Sequence, residues 1–143
     1  MINVNAIGTL RVTNALSSLV LNSTEKTIVN ISSEAGSIAD CWRTGWFGYC
    51  MSKAANNMQS ALVHNNIQKL GGKVFAIHPG HVATYMRGHL DTTAKITPDV
   101  SAEGILHVVL DMPHPINSRP LYLDYTGKNF RGKANIYLSR TKG

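Results

Sequence analysis

The sequence predicts an α/β protein built on a parallel sheet of about three strands. Two observations carry this. Three short, nearly continuous apolar runs occur at 27–31, 73–77 and 121–125, rich in the β-branched and aromatic residues that suit strands buried on both faces. Segments with a 3.6-residue apolar period precede or separate them, and strands alternating with helices of that length imply right-handed crossovers and a parallel sheet.

In chain order, Val4, Ile7, Leu10, Ala15, Leu16, Leu19 and Val20 predict a helix over 3–21, stopped by Asn22-Ser23-Thr24. The run Thr27-Ile28-Val29-Asn30-Ile31 is the first strand and ends in Ser32 and Ser33. A loop over 34–46 carries Gly36, Trp42, Gly45 and Trp46. The second helix runs over 47–70. Met51, Ala55, Met58 and Leu62 form its apolar stripe, and Tyr49, Lys53, Asn56 and Ser60 lie on a different face. Gly71-Gly72 supplies a glycine C-cap. Lys73-Val74-Phe75-Ala76-Ile77 is the second strand, and His78-Pro79-Gly80-His81-Val82 turns off its carboxyl end. Residues 83–97 show little pattern. Thr97-Pro98 reads as an N-cap followed by proline at the first helical position. The helix to about Leu110 turns Ala102, Ile105, Val108 and Val109 inward. A proline-containing loop over 112–117 leads to the third strand, Leu121 to Tyr125.

Composition narrows the function classes. The chain has 143 residues, 43% hydrophobic and 15% charged, which fits one globular unit and not a disordered segment. No apolar run is long enough to span a bilayer, and MINVNAIGTL lacks the pattern of a secretory signal. Cys41 and Cys50 read as free thiols in a reducing cytoplasm. The pair His78-x-x-His81 brackets a Pro-Gly turn, so no metal site is expected. The formal charge is +6, but Lys128, Arg131, Lys133, Arg140 and Lys142 supply five of the 14 basic residues within the last 16 positions. That predicts one unit over 1–127 with a solvated basic tail over 128–143, and no nucleic-acid partner.

The chemistry concentrates between Ile28 and Lys53. Tyr49 and Lys53 stand four residues apart on one helix and so share a face. An ammonium beside a phenol favours the phenolate and draws its pKa down from about 10, which suits a general acid or base. Ser33 ends the buried strand just upstream, at the sheet end where ligands bind in open α/β folds. An amide at Asn5 is placed to hold an ordered water beside Lys53.

In this order and at these separations, VNAIG, IVNISS, Tyr-Cys-Met-Ser-Lys and HPGHVAT resemble the short-chain dehydrogenase/reductase family. The similarity runs from Asn3 to about Gly127. The long serine-to-tyrosine segment and LYLDYTGK resemble the subgroup of small carbonyl reductases related to C-signal and to sniffer-type enzymes. The resemblance implies a partial Rossmann-like doubly wound parallel sheet, the C-terminal half only. It implies an NAD(P)-dependent oxidoreductase that transfers a hydride between nicotinamide and an alcohol/carbonyl substrate. Tyr49 would be the acid/base. Lys53 would tune it and hold the nicotinamide ribose. Ser33, with Ser32 as a neighbour easily confused with it, would orient the carbonyl, and Asn5 would complete a water-linked relay. Pro79 and Gly80 would shape the turn under the nicotinamide, with Val82 and Thr84 at its carboxamide. Trp42, Trp46 and Phe47 would line the substrate mouth.

The family's glycine-rich turn, G-x-x-x-G-x-G, has no counterpart here, and neither does a residue to read the ribose 2′ position. The expectation is therefore a catalytic half that lacks the phosphate-binding end, with its activity alone and the choice between NAD and NADP undecided. The family also implies a homo-oligomer through the first two helices, with Ala54, Ala55, Ser60 and Ala61 allowing close approach. A non-catalytic dimerisation module is the alternative function.

Overall fold

The structure, a computed structural model, describes residues 1–111 and 120–130. Strands β1 (Thr27–Ile31), β2 (Lys73–His78) and β3 (Leu121–Asp124) form a parallel sheet in the order β1-β2-β3. Helix α1 (Thr9–Asn22) precedes β1, α2 (Phe47–Ile67) joins β1 to β2, and α3 (Pro98–Asp111) follows β2. Ile31 pairs with Ile77, and His78 with Asp124, so the three carboxyl ends lie side by side. The proline-containing loop over 112–117 and the basic tail beyond Phe130 lie outside the described residues.

The two faces of the sheet differ in chemistry. On one, Phe75, Ile77 and Leu123 pack against Val108 of α3, with Ile105, Val109 and Leu121 around them. Side chains alternate along a strand, so Asn30 and Ser32 face the other way, toward α2. There the Asn30 amide donates to Ser60 Oγ at 2.8 Å, and Ser60 donates to the Asn56 carbonyl at 2.8 Å. His64 Nδ1 accepts the Val74 backbone N–H at 3.3 Å.

This polar seam corrects the expected orientation of α2. Its buried residues are Ser52, Asn56, Ser60, His64 and Ile67, while Met51, Met58 and Leu62 are 60%, 62% and 61% exposed. Ser60 therefore belongs to the sheet contact and is not available to an outer helix–helix interface. In α3, Val108 is buried but Ala102 is exposed, against expectation.

The expected helix over 3–21 is also not uniform. Asn3–Gly8 is a π-helical turn that runs straight into α1. The wider turn releases backbone groups, and the Thr9 hydroxyl takes the Asn5 carbonyl at 3.0 Å. At the end of α2, Gly71 adopts φ +82°, and Gly72 donates to the Ile67 carbonyl at 3.0 Å, the expected glycine stop. After β3, Lys128–Phe130 fold back along the strand. Phe130 N–H donates to Tyr122, and Leu123 bridges Asn129.

Among the described residues, strand β1 is bonded only to β2. Along its other side runs an apolar groove of about 650 Å³ shared with α1 and lined by Val4, Val12, Leu16, Val20 and Ile28. Val29 and Ile31 are 36% and 48% exposed.

Candidate active site

A cavity of about 1140 Å³ opens at the carboxyl ends of the strands. Ser33, Tyr49, Pro79, Gly80, Val82 and Thr84 all line it. The sheet and α2 bring the strand-end serine and the helical tyrosine to one space.

The two serines have separate tasks. The Ser32 hydroxyl donates to Asn57 Oδ1 on α2 and is used up in packing. Ser33 Oγ accepts the Ala35 backbone N–H at 3.1 Å, so its own proton is left to donate into the cavity. The Ser33 carbonyl accepts from the Tyr122 hydroxyl at 2.5 Å, across a separation of 89 residues. Burial pushes the Tyr122 pKa up to about 12, which keeps the phenol a donor. Its ring stacks on Phe130 at 5.0 Å, and Phe130 meets His78 edge-on at 5.3 Å. The turn after Ser33 (Glu34–Gly36) sits against α2 where only glycine fits. A Cβ on Gly36 would lie 2.7 Å from the Lys53 backbone carbon.

Tyr49 is half-buried one turn before Lys53. Lys53 Nζ lies 5.9 Å from the Tyr49 ring centroid and donates to the Ile31 carbonyl at 3.0 Å. Burial lowers the Lys53 pKa from its ordinary value. Asn5 reaches α2 at a different point from the one expected. Its amide donates to Ser52 Oγ at 3.0 Å, and Ser52 donates to the Tyr49 carbonyl at 2.7 Å. Asn5 is thus tied to the backbone of Tyr49 through Ser52.

The turn after β2 is shaped by contact. Gly80 adopts φ +87°, and a Cβ there would meet Ile96 Cδ1 at 2.7 Å. Ser101 on α3 donates to the Pro79 carbonyl at 2.6 Å, and Val82 bridges Ile96. His78 Nδ1 is buried and has no hydrogen-bond partner among the described residues, and burial lowers its pKa. Trp46, just before α2, holds φ +63°, a left-handed conformation that costs a bulky residue about 1–3 kcal/mol. Two contacts hold it there. Its ring meets Tyr49 edge-on at 6.0 Å, and the Arg87 guanidinium lies 5.0 Å over it. Trp42 also lines the mouth, whereas Phe47, against expectation, is not among the lining residues; both are 74% exposed.

Among the described residues, no group of three or more His, Cys, Asp or Glu is placed to hold a metal. No helix among them is long and apolar enough to cross a membrane. Cys41 and Cys50 are free.

Sequence reasoning missed Ser52, Asn57, Tyr122 and Arg87. A signal existed only for the first: Ser52, Asn56, Ser60 and His64 recur every four residues, a polar stripe on one helix face.

Comparisons with known proteins agree with this geometry. Residues 1–95 match the family model described as short chain dehydrogenase. The chain is 31% identical over 126 residues to the 1-hydroxy-2-glutathionyl-2-methyl-3-butene dehydrogenase of Rhodococcus sp. strain AD45, covering 87% of this chain and 55% of that protein. It is 35% identical over 124 residues to C-signal of Myxococcus xanthus, covering 87% and 72%. Among solved structures, an NADPH-bound carbonyl reductase from chicken fatty liver superposes with a TM-score of 0.73 at 30% identity, covering 90% of this chain and 54% of the other. The chain thus spans about half the length of the Rhodococcus and chicken proteins. With the family model matched over residues 1–95 and C-signal 35% identical and covered to 72%, the chain belongs to the short-chain dehydrogenase family.

Proposed function

We propose that this chain is the catalytic half of an NAD(P)-dependent oxidoreductase acting on a small-molecule carbonyl/alcohol pair. One observation carries the reading: Ser33 and Tyr49 line a single cavity with the Pro79-Gly80 turn. A nicotinamide cofactor, NAD or NADP, supplies or accepts the hydride when bound. The residues present fit its nicotinamide end. Gly80 leaves the backbone bare at a turn that has no room for a side chain. Pro79, Gly80, Val82, Thr84, Tyr49 and Lys53 are the residues to hold it.

In the reductive direction Tyr49 donates its phenolic proton to the substrate oxygen. Ser33 donates a hydrogen bond to the same oxygen through the proton that Ala35 leaves free. Lys53 supplies positive charge on the Tyr49 side of α2. Asn5 completes the set through Ser52, which fixes the first turn of α2. The two free cysteines accord with a cytoplasmic setting.

The serines test the reading. In the full-length protein, Ser33→Ala is expected to lower carbonyl turnover about 10²–10³-fold, the usual cost of losing one donor to a reacting oxygen. Ser32→Ala is expected to act on stability instead, by about 1–3 kcal/mol, because Asn57 Oδ1 loses its donor. Reduced-nicotinamide oxidation and urea unfolding read the two effects. Equal turnover in wild type and Ser33→Ala would sink the assignment.

The exposed face of α1 and α2 favours self-association as a second property. Met51, Met58 and Leu62 on α2 and Ile7 and Leu10 at the start of the first helix are apolar and uncovered, and a second copy is the occupant we propose. Sedimentation of the 143-residue chain is expected to show a dimer; a well-behaved monomer across concentrations counts against it.

A further inference from the structure

The cavity mouth is framed by the segment before α2 and by the loop over 81–96. That loop is closed on itself. Ala83 N–H donates to the Ile96 carbonyl at 2.9 Å, Lys95 N–H to His81 at 3.1 Å, and Asp91 N–H to Thr84 at 3.1 Å. These bonds hold the loop's backbone around the opening.

The charges there do not cancel. Among the described residues the cavity is lined by two carboxylates, Glu34 and Asp91, and both are engaged. Glu34 pairs with Arg43 at 2.5 Å. Asp91 accepts from Thr93 through its hydroxyl at 2.6 Å and its backbone N–H at 3.0 Å, and faces His81 at 2.9 Å. These bonds, Thr93 first, hold its carboxyl well below the usual range. Arg87 and Lys95 line the same cavity, and neither has a carboxylate partner among the described residues. Arg87 is exposed but has an aromatic contact. It lies 5.0 Å over the Trp46 ring, which itself meets the Tyr49 ring at 6.0 Å. Trp46 thus spans the gap between the acid/base and a guanidinium. The remaining wall is largely apolar, with Trp42, Met86 and Ile105.

We propose that this cavity takes carbonyl compounds that carry an anionic group of the carboxylate class, with Arg87 and Lys95 holding that group while the carbonyl oxygen lies at Tyr49. The inference rests on the oxidoreductase reading above and adds to it the class of substrate. The planar guanidinium fork suits a carboxylate, and the indole that orients it also gives an aromatic or apolar body a surface to lie on. A phosphate of the cofactor offers the same charge, so the test must separate the two.

The probes are 4-formylbenzoate and its methyl ester, aldehydes of one shape that differ in charge, reduced by the full-length protein with NADPH. Wild type is expected to favour the acid in kcat/KM. The double variant Arg87→Gln, Lys95→Gln is expected to cut the acid-to-ester ratio about 10-fold or more, the usual worth of a charge-assisted contact. Lys95→Glu is expected to turn the preference toward the ester, and added salt to weaken it in wild type. Arg11→Gln, on α1 and away from the cavity, is the charge control and should leave the ratio as in wild type. An acid-to-ester ratio equal in wild type and the double variant overturns the proposal. So does a rise in KM for NADPH at constant ratio, which would assign both cations to the cofactor. Turnover of the ester alone removes the anion site and spares the oxidoreductase reading, whereas no turnover of either aldehyde removes both.

Discussion

Tyr49→Phe in the full-length protein is expected to lower carbonyl reduction by about 10²–10⁴-fold, the range general acid–base catalysis contributes. The substitution is clean because of where the ring sits. Phenylalanine keeps the edge contact with Trp46 and the neighbourhood of Lys53, whose ammonium bonds the Ile31 carbonyl and not the phenol. The first turn of α2 keeps its bond from Ser52 to the residue 49 backbone carbonyl, and through it the tie to Asn5. Only the phenolic hydroxyl is lost. Pro79, Gly80, Val82, Thr84 and Lys53 remain to hold the cofactor, so its affinity should fall far less than kcat, and the unfolding midpoint should stay near wild type. Steady-state kinetics with parallel cofactor titration measures both. Turnover within a few-fold of wild type would remove Tyr49 from the acid/base role.

Gly36→Ala is expected to damage stability and turnover together. The added methyl carbon would lie 2.6 Å from Asn57 Nδ2 and 2.7 and 2.8 Å from the Lys53 backbone carbon and oxygen. The Asn57 amide is free to swing, at the expense of its bond with Ser32. The helix backbone at Lys53 has no such freedom, so the turn over Glu34–Gly36 must back away from α2. Overpacking of this kind costs about 1–3 kcal/mol, a large part of the margin of a small domain. The displaced turn begins at Ser33, whose hydroxyl and carbonyl are held by Ala35 and Tyr122. Movement there separates Ser33 from Tyr49, and a misplacement of about 1 Å can cost about 10²-fold in rate. A lower urea midpoint with a fall in kcat is the expected pair of results. A variant with both values unchanged would show slack in the contact between the turn and α2.

The fold was legible because its signals are local. Each strand is a short run of β-branched and aromatic residues, and Gly71 and Thr97-Pro98 mark helix ends by backbone chemistry. The strand-end serine and the Tyr49–Lys53 pair were legible for the same reason. What failed was the inference from apolar period to buried face. Met51, Met58 and Leu62 are periodic but exposed, because the sheet surface that α2 covers carries Asn30 and Ser32 and is met by Asn56, Asn57 and Ser60. A hydrophobic period reports burial only where the opposing surface is apolar. The π-helical turn at Asn3–Gly8 left no compositional trace, since the side-chain bond from Asn5 to Ser52 spans 47 positions. Tyr122 was illegible for the same kind of reason: nothing near it in sequence indicates that its hydroxyl reaches Ser33.

The strand order β1-β2-β3 is also the order in which the strands occur along the chain. Chains are made from the N-terminus and begin to fold as they emerge. Among the described strands, β2 and β3 each find the neighbour they pair with already outside the ribosome. Tyr122 lies on β3, so the Ser33 carbonyl receives its phenol only after residue 122 has emerged. Until then Ser33 has its local bonds from Ala35 and Gly36, and the Ser32 N–H ties the strand end to the Ile77 carbonyl of β2. A nascent chain stalled before Leu121 would carry every residue of the proposed catalytic set, with the Ser33 carbonyl still lacking the Tyr122 hydroxyl.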